Sequence, residues 1–238
     1  MNTLGLSLTR SLTVVLALLL GAAYAQVAAG DALVDEGNFE EAIAAYTTAV
    51  NANANDARAL FQRSRAQVYW ADNDASLDDA EREALYTAAL ADSERAVELA
   101  PNNTDALFEL SRALGRMAQY RGVLQSLSLA GRMNDTLQRV LELDDGYAAA
   151  WHAYALWHNE VPWIAGGRTG NVEPYFERAI ELEPDAITHR VGLAEILIAA
   201  EEYDRAAEQL DVALSLTATT YLQGLDLERA RELQASLP

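Results

Sequence analysis

The sequence predicts an all-α protein, a right-handed α-solenoid of about five helix pairs with a capping helix at its C-terminal end. Glycine and proline are scarce, at 13 and 5 of 238 residues, and alanine and leucine are abundant, which favours helices. One helix-end design recurs along the chain, which indicates repeats. No segment shows the alternating pattern and turns of a β-hairpin. Together these observations favour a stacked array of helices.

Five helix ends share the recurring design. Each begins with a small or apolar residue and ends in a polar, turn-prone exit, with proline or a substitute five residues after the first position. Proline suits such an exit because it lacks the N–H that a helix needs. The first positions are Ala49, Ala96, Val140, Ala179 and Ala213, which are 47, 44, 39 and 34 residues apart.

Two of these units resemble the tetratricopeptide repeat, whose period equals the last spacing. In the first unit, "GNFEEAIAAYTTAV", the motif positions are Gly37, Phe39, Ala42, Tyr46 and Ala49. In the last unit, "EEYDRAAEQLDVAL", they are Tyr203, Ala206, Leu210 and Ala213. The resemblance covers nearly all of residues 26–218 and implies antiparallel helix pairs in which the first helix of each unit lines a concave surface.

The longer spacings predict insertions of 13, 10 and 5 residues between the two helices of repeats two, three and four. The candidate segments are Ala71–Asp79, the region Ala118–Leu129, and Val161–Glu173. Alternatively, extra residues prolong helices, so that Asp78–Leu99 is one helix with Ser76 and Asp79 as its cap pair. A last helix over Leu225–Ala235 is expected to cover the open end of the array.

The first 25 residues have the composition of a secretory signal. Arg10 supplies the positive charge, Ser11–Ala23 is apolar, and Ala23-Tyr24-Ala25 is a small-x-small cleavage site. We therefore expect a signal peptide over residues 1–25 and a repeat domain over residues 26–238. The mature protein would be periplasmic or secreted, with no stable membrane insertion. The alternative is an uncleaved anchor helix.

The charge balance excludes several functions. The chain has 36 acidic and 17 basic residues, a net charge of −19, which argues against nucleic-acid binding because that requires a basic surface. All the basic residues are arginine, so neither a Schiff-base lysine nor a lysine phosphate loop is present. There is no cysteine, and no recognisable catalytic set of side chains stands out. We predict a protein without enzymatic activity, cofactor or metal.

The stretch "WHAYALWHNEVPWIAGG" (residues 151–167) contains three of the four tryptophans. On a predicted helix over Tyr147–Glu160, the spacing of Trp151, Tyr154 and His158 gives one stripe that packs between helices. His152 and His158 are six residues apart and point away from each other, so they cannot share a metal ion. In the following glycine-rich loop, Trp163 is a candidate contact residue.

A second acidic motif has two interpretations. Residues Asp72, Asp74, Ser76 and Glu83 match positions of a calcium loop, but its required glycine is replaced by Leu77. The alternative is an acidic cap of the following helix.

The family resemblance also implies which side chains face the concave groove. They are Phe61, Arg65, Val68 and Tyr69 in repeat two, Phe108, Arg112 and Arg116 in repeat three, His152, Leu156 and Asn159 in repeat four, and Val191, Glu195 and Ile198 in repeat five. Arginine grips carboxylates by paired hydrogen bonds, so the groove is expected to bind an anionic or carboxylate-bearing partner. The alternative is that these arginines pair with local acids.

A narrower resemblance lies in the C-terminal half, from Trp151 to Ala213. This segment is similar to bacterial tetratricopeptide proteins related to the regulators of microtubule dynamics, and to the T-component associated with TRAP transporters. The resemblance implies a binding protein. We therefore predict an exported scaffold for a protein or peptide; the alternative is a periplasmic protein that binds a small organic acid or hydrophobic ligand beside a solute transporter. An open groove would favour the scaffold, and an enclosed, tryptophan-lined pocket the small molecule.

Overall fold

The computed structural model describes residues 24–238. The apolar segment Ser11–Ala23 of the predicted signal lies outside the described residues, so its prediction is not tested. Residues 24–238 contain helices and two short 3-10 turns, and no strand occurs in that range. The helices are α1 (24–35), α2 (Phe39–Ala52), α3 (Ala57–Asn73), α4 (Asp79–Leu99), α5 (Thr104–Gln119), α6 (Val123–Leu143), α7 (Ala148–Glu160), α8 (Val172–Leu182), α9 (Ile187–Ala199), α10 (Tyr203–Ser215) and α11 (Tyr221–Ser236).

The helices form five successive pairs, α1/α2 to α9/α10, followed by α11. Each helix from α2 onward packs against the next one, and α11 also packs against α9. The first residue of each predicted helix end is completely buried: Ala49, Ala96, Val140, Ala179 and Ala213 are each 0% exposed. Small side chains at these positions let neighbouring helices approach closely, which confirms the predicted repeat.

The extra residues of repeats two and three mostly lengthen helices. Helices α4 and α6 each have 21 residues, and the connections before them are short. The cap of α4 is a capping box formed by Asp78 and Glu81, which corrects the predicted pair Ser76 and Asp79. Only repeat four has its extra length in a loop: residues 161–171 contain both 3-10 turns, and α8 has just 11 residues.

The first and fifth repeats turn between their helices in the same way. After α1, Gly37 has φ +83°, and its N–H and that of Asn38 donate to Val34 and Leu33. After α9, Glu201 has φ +61°, and its N–H and that of Glu202 donate to Ile198 and Leu197. This left-handed helix end favours glycine, because glycine has no Cβ to clash in that conformation. Glu201 therefore occupies the glycine position of the turn.

Replacing Glu201 with glycine is expected to stabilise the protein. The substitution removes the strain of the left-handed backbone at this position. The greater entropy of glycine in the unfolded chain offsets part of this effect, so the free energy of unfolding is expected to rise by about 0.5–1 kcal/mol. Urea unfolding followed by circular dichroism measures this gain. The matched control is Glu201→Ala, which removes the carboxylate and keeps Cβ. Equal stabilisation by both variants would attribute the effect to charge and contradict the backbone explanation.

The array is curved so strongly that its last helix contacts the first repeat. The ring of Tyr221, at the start of α11, lies 5.9 Å from that of Phe39, at the start of α2, and Phe39 lies 5.9 Å from Tyr69 of α3. A Cβ added to Gly37 would lie 2.5 Å from Cγ of Tyr221. Helix α11 begins four residues before the predicted start at Leu225, capped by Thr220, and this extension carries Tyr221 to the first repeat.

Within residues 24–238, we find no helix with the length and hydropathy needed to cross a membrane.

Candidate functional site

The concave surface is built by the first helix of each pair together with α11, which we call the inner helices. Each inner helix is joined to the next one by polar side-chain contacts. These are Asp31–Arg58 (2.8 Å), Glu109–Arg65 (2.7 Å), Asp72–Arg116 (2.8 Å), Asp105–Tyr147 (2.9 Å), His152–His189 (3.1 Å) and Glu195–Arg229 (2.8 Å). The concave face is therefore a continuous polar surface, and among the acidic residues of these contacts only Glu195 was predicted to face the groove.

Two arginines and one glutamate form the centre of this surface, which we call the arginine cluster: Arg65, Glu109 and Arg112. Glu109 is 0% exposed and accepts a hydrogen bond of 2.7 Å from Nε of Arg65. Nε of Arg112 lies 3.0 Å from the second carboxylate oxygen of Glu109. Both atoms are buried, and neither has a hydrogen-bond partner among the described residues. The cluster holds two positive charges and one negative charge.

Arg112 is held in place by aromatic rings. Its guanidinium carbon lies 4.9 Å from the ring centre of Tyr69 and 5.0 Å from that of Phe108. Burial alone would lower the pKa of Arg112, but Glu109 beside it raises the pKa, so the group stays charged. Stacking fixes the plane of the guanidinium and leaves its terminal nitrogens available for a planar anion.

The predicted alternative, pairing of the arginines with local acids, holds for all three groove arginines, because Arg65 and Arg112 both pair with Glu109. Arg116 contacts Asp72 at 2.8 Å, which balances its charge. Beside the cluster, an open hollow is lined by Arg58, Phe61, Gln62, Arg65, Asn103 and Asp105. Arg58 in that hollow pairs with Asp31. Arg65 and Arg112 share a single carboxylate, that of Glu109, and Asp105 lines the hollow beside them.

Several predicted groove residues are mostly core residues. Phe61 and Phe108 are 5% and 6% exposed and pack between helices, and Val68 and Val191 are also buried. The prediction took positions between the packing stripes as exposed, whereas the tight curl of the array covers their apolar members. Leu156 and Ile198 also pack against the C-terminal core. Asn159 is exposed, and Trp163 is 84% exposed on the loop before α8.

His152 lies on the concave side of α7 and pairs with His189 of α9. Their Nδ1 atoms are 3.1 Å apart, so one ring donates a hydrogen bond and the other accepts it. Burial, then His189, then Arg112 lower the pKa of His152 to about 3. The pair is neutral near pH 7 and joins two helices.

The far end of the concave face, between α9 and α11, is acidic. Glu195 pairs with Arg229 at 2.8 Å, and Asp226 lies near Glu195. Burial, and then the charge of Glu195, raise the pKa of Asp226 to about 6. This end of the surface disfavours a second anion and favours a positive group.

The predicted stripe of Trp151, Tyr154 and His158 is confirmed as packing between helices. All three rings contact Tyr175 of α8, with ring centres 5.2–5.4 Å apart. His158 is 5% exposed, and its Nδ1 accepts a hydrogen bond of 3.1 Å from the backbone N–H of Arg168.

The sequence analysis missed the most buried tryptophan of this stretch. Trp157 is 6% exposed, and its indole N–H donates to the carbonyl of Ala130 in α6 at 2.8 Å. No sequence signal separated it from Trp151, because the helical stripe alone does not show which face the preceding repeat covers.

The cap of α4 comes from Asp78 and Glu81, whereas the residues of the predicted acidic motif have other partners. Asp74 accepts hydrogen bonds from the backbone and hydroxyl of Ser76, and Asp72 accepts one from Tyr86. Glu83 pairs with Arg121. Among residues 24–238, no three histidine, aspartate or glutamate side chains are grouped in a way that could hold a metal ion.

The fold is that of a tetratricopeptide-repeat solenoid, and residues 164–237 match the tetratricopeptide-repeat family. Residues 26–164, more than half of the chain, match the family described as regulator of microtubule dynamics protein 1-3. The chain belongs to this family. The match lies mainly in the N-terminal part, whereas the sequence analysis placed this resemblance at Trp151–Ala213. A comparison with curated proteins found no significant match.

Several solved structures have the same fold, and one of them is a tetratricopeptide-repeat protein. The thermophilic protein TTC0263 of Thermus thermophilus is 20% identical, with TM-score 0.72, over 90% of this chain and 100% of that chain. PilF of Pseudomonas aeruginosa is 16% identical, with TM-score 0.53, over 91% and 88%. MamA (41-end) of Desulfovibrio magneticus is 18% identical, with TM-score 0.50, over 82% and 94%. These likenesses confirm the predicted α-solenoid.

Proposed function

We propose that this protein is a non-catalytic scaffold that binds an extended peptide segment of a protein partner on its concave face. The observation that carries the proposal is the arginine cluster, in which two guanidinium groups share one buried carboxylate. A carboxylate of the partner would add a second negative charge beside the two arginines and accept paired hydrogen bonds from Arg112. The repeat fold supports a peptide ligand because its inner helices present an elongated surface.

The charge distribution also supports one orientation of the peptide. The carboxylate end would lie at the arginine cluster in repeats two and three, and a positive group would lie toward Glu195 and Asp226. Complementary charge at both ends favours one direction of binding over its reverse.

The predicted small-molecule alternative required an enclosed pocket that includes Trp163. That side chain is 84% exposed, and the hollow beside the arginine cluster is open. These observations favour the peptide over the small molecule.

Export is part of the proposal. It is supported by the apolar segment Ser11–Ala23 and the small residues around Ala25. N-terminal sequencing of the protein recovered from the periplasm of a bacterial host tests it, and a chain that still begins at Met1 would contradict cleavage.

Replacing Arg112 with alanine is expected to weaken peptide binding at least tenfold. The substitution removes the stacked guanidinium, while Glu109 keeps its hydrogen bond from Arg65 and the array stays folded. The probe is the tightest binder from a pentapeptide library with free C-terminal carboxylates, measured by fluorescence anisotropy. Amidation of that peptide is expected to cause a similar loss.

The matched control for this experiment is Arg178→Ala. Arg178 lies on an outer helix, where it pairs with Glu181, so the variant has the same net charge but an unchanged concave face. Equal affinity of Arg112→Ala and Arg178→Ala for the free peptide would contradict the proposed site.

A further inference from the structure

The two ends of the array meet beside the proposed groove. Tyr221 belongs to the last helix, and Phe39 and Gly37 belong to the first repeat, so their contact joins segments that are about 180 residues apart in the chain. Tyr69 connects this junction to the arginine cluster: its ring centre lies 5.9 Å from that of Phe39 and 4.9 Å from the guanidinium carbon of Arg112. Only two side chains separate Tyr221 from the arginine cluster.

The junction is well packed on one side and open on the other. Phe39 is 5% exposed, whereas Tyr221 is 42% exposed and forms one wall of a hollow that also contains Trp70 and Asn73. Tyr221 therefore rests against the first repeat without being enclosed by it. Such a contact stabilises the closed array by a small amount, which suits a contact that opens and closes.

The glycine at the turn makes this approach possible. Gly37 leaves room for the Tyr221 ring, since a Cβ there would lie 2.5 Å from the ring. The corresponding position of repeat five is Glu201, with φ +61°. In the first repeat, then, one residue serves both the left-handed turn and the junction.

We propose that Tyr221 and the turn at Gly37 form a latch that closes the array around the groove, so that opening of this latch controls how quickly a bound peptide leaves. The part concerning release rests on the proposed peptide-binding function. With the latch closed, contact of the last helix with the first repeat blocks sideways release beside the arginine cluster, and a bound peptide leaves along its axis. With the latch open, the peptide also leaves sideways.

The test compares Tyr221→Ala with a matched control, Tyr203→Ala. Both tyrosines are the first residue of their helix and are similarly exposed, at 42% and 37%, but only Tyr221 contacts a distant aromatic ring. The chain has no cysteine, so nitroxide labels at Glu40→Cys and Glu228→Cys report the distance between the ends without interference. Electron–electron double resonance then measures that distance without any peptide.

We expect one narrow distance distribution in the parent and in Tyr203→Ala, and a longer, broader one in Tyr221→Ala. An unchanged distribution in Tyr221→Ala would overturn the latch. Stopped-flow release of the fluorescent pentapeptide is expected to be at least fivefold faster in Tyr221→Ala than in Tyr203→Ala. A change in distance with equal release rates would overturn control of release, and failure of the parent to bind any library peptide would overturn the proposed function while leaving the distance result valid.

Discussion

Replacing Glu109 with glutamine is expected to lower the free energy of unfolding by about 3 kcal/mol. The substitution keeps the shape of the side chain and removes the only negative charge between Arg65 and Arg112, whose side chains are 28% and 26% exposed. Two like charges would then face each other across α3 and α5 without a counterion. Urea unfolding at pH 7, followed by circular dichroism, measures the loss.

The control for this variant is Glu142→Gln. Glu142 makes the same type of charge pair, at 3.0 Å with Arg139, but its side chain is 64% exposed. Water screens such a pair, so the change is expected to be below about 1 kcal/mol. A similar small loss for Glu109→Gln would show that the two arginines do not depend on this carboxylate, and would remove the basis of the proposed groove.

Replacing Gly167 with alanine is expected to destabilise the protein by about 2–3 kcal/mol. Gly167 is buried in the loop before α8, and an added Cβ would overlap the carbonyl oxygen of Val161 and lie 3.3 Å from that of His158. Both neighbours are backbone atoms, so relief requires movement of the loop. That movement would also break the hydrogen bond from Arg168 to His158.

Thermal unfolding and tryptophan fluorescence measure this effect, because the neighbouring Gly166 packs against Trp157. The matched control is Gly170→Ala in the same loop, where an added Cβ has no neighbour within 4 Å. We expect the control to unfold near the parent temperature. If both variants behave alike, the close approach at Gly167 is not what shapes the loop.

Much of the fold could be predicted from the sequence because the repeat has a local physical basis. Alanines at fixed positions allow close helix packing, and the helix predicted over Tyr147–Glu160 begins and ends within one residue of α7. The distribution of the extra residues was harder to predict. Residues 74–78 form the connection between α3 and α4, and most of the extra length of this repeat lies in the two helices, because packing against the next repeat stabilises longer helices.

The candidate site could be predicted only in part. The periodicity of the family placed Arg65, Tyr69 and Arg112 on one surface, and the structure brings them together. Their shared partner Glu109 is 44 residues from Arg65, and pairing at that distance depends on the register between two repeats. Sequence spacing within one helix does not define that register, nor does it show that the curl buries Phe61.

The contact of Tyr221 with the first repeat also affects how the array unfolds. In a linear array each unit depends only on its neighbours, so the terminal units fray first and unfolding spreads inward. Here the last helix touches the first repeat, and each terminus therefore protects the other. Backbone amides of α2 and α11 should therefore exchange with solvent slightly more slowly than those of an unlinked terminal repeat.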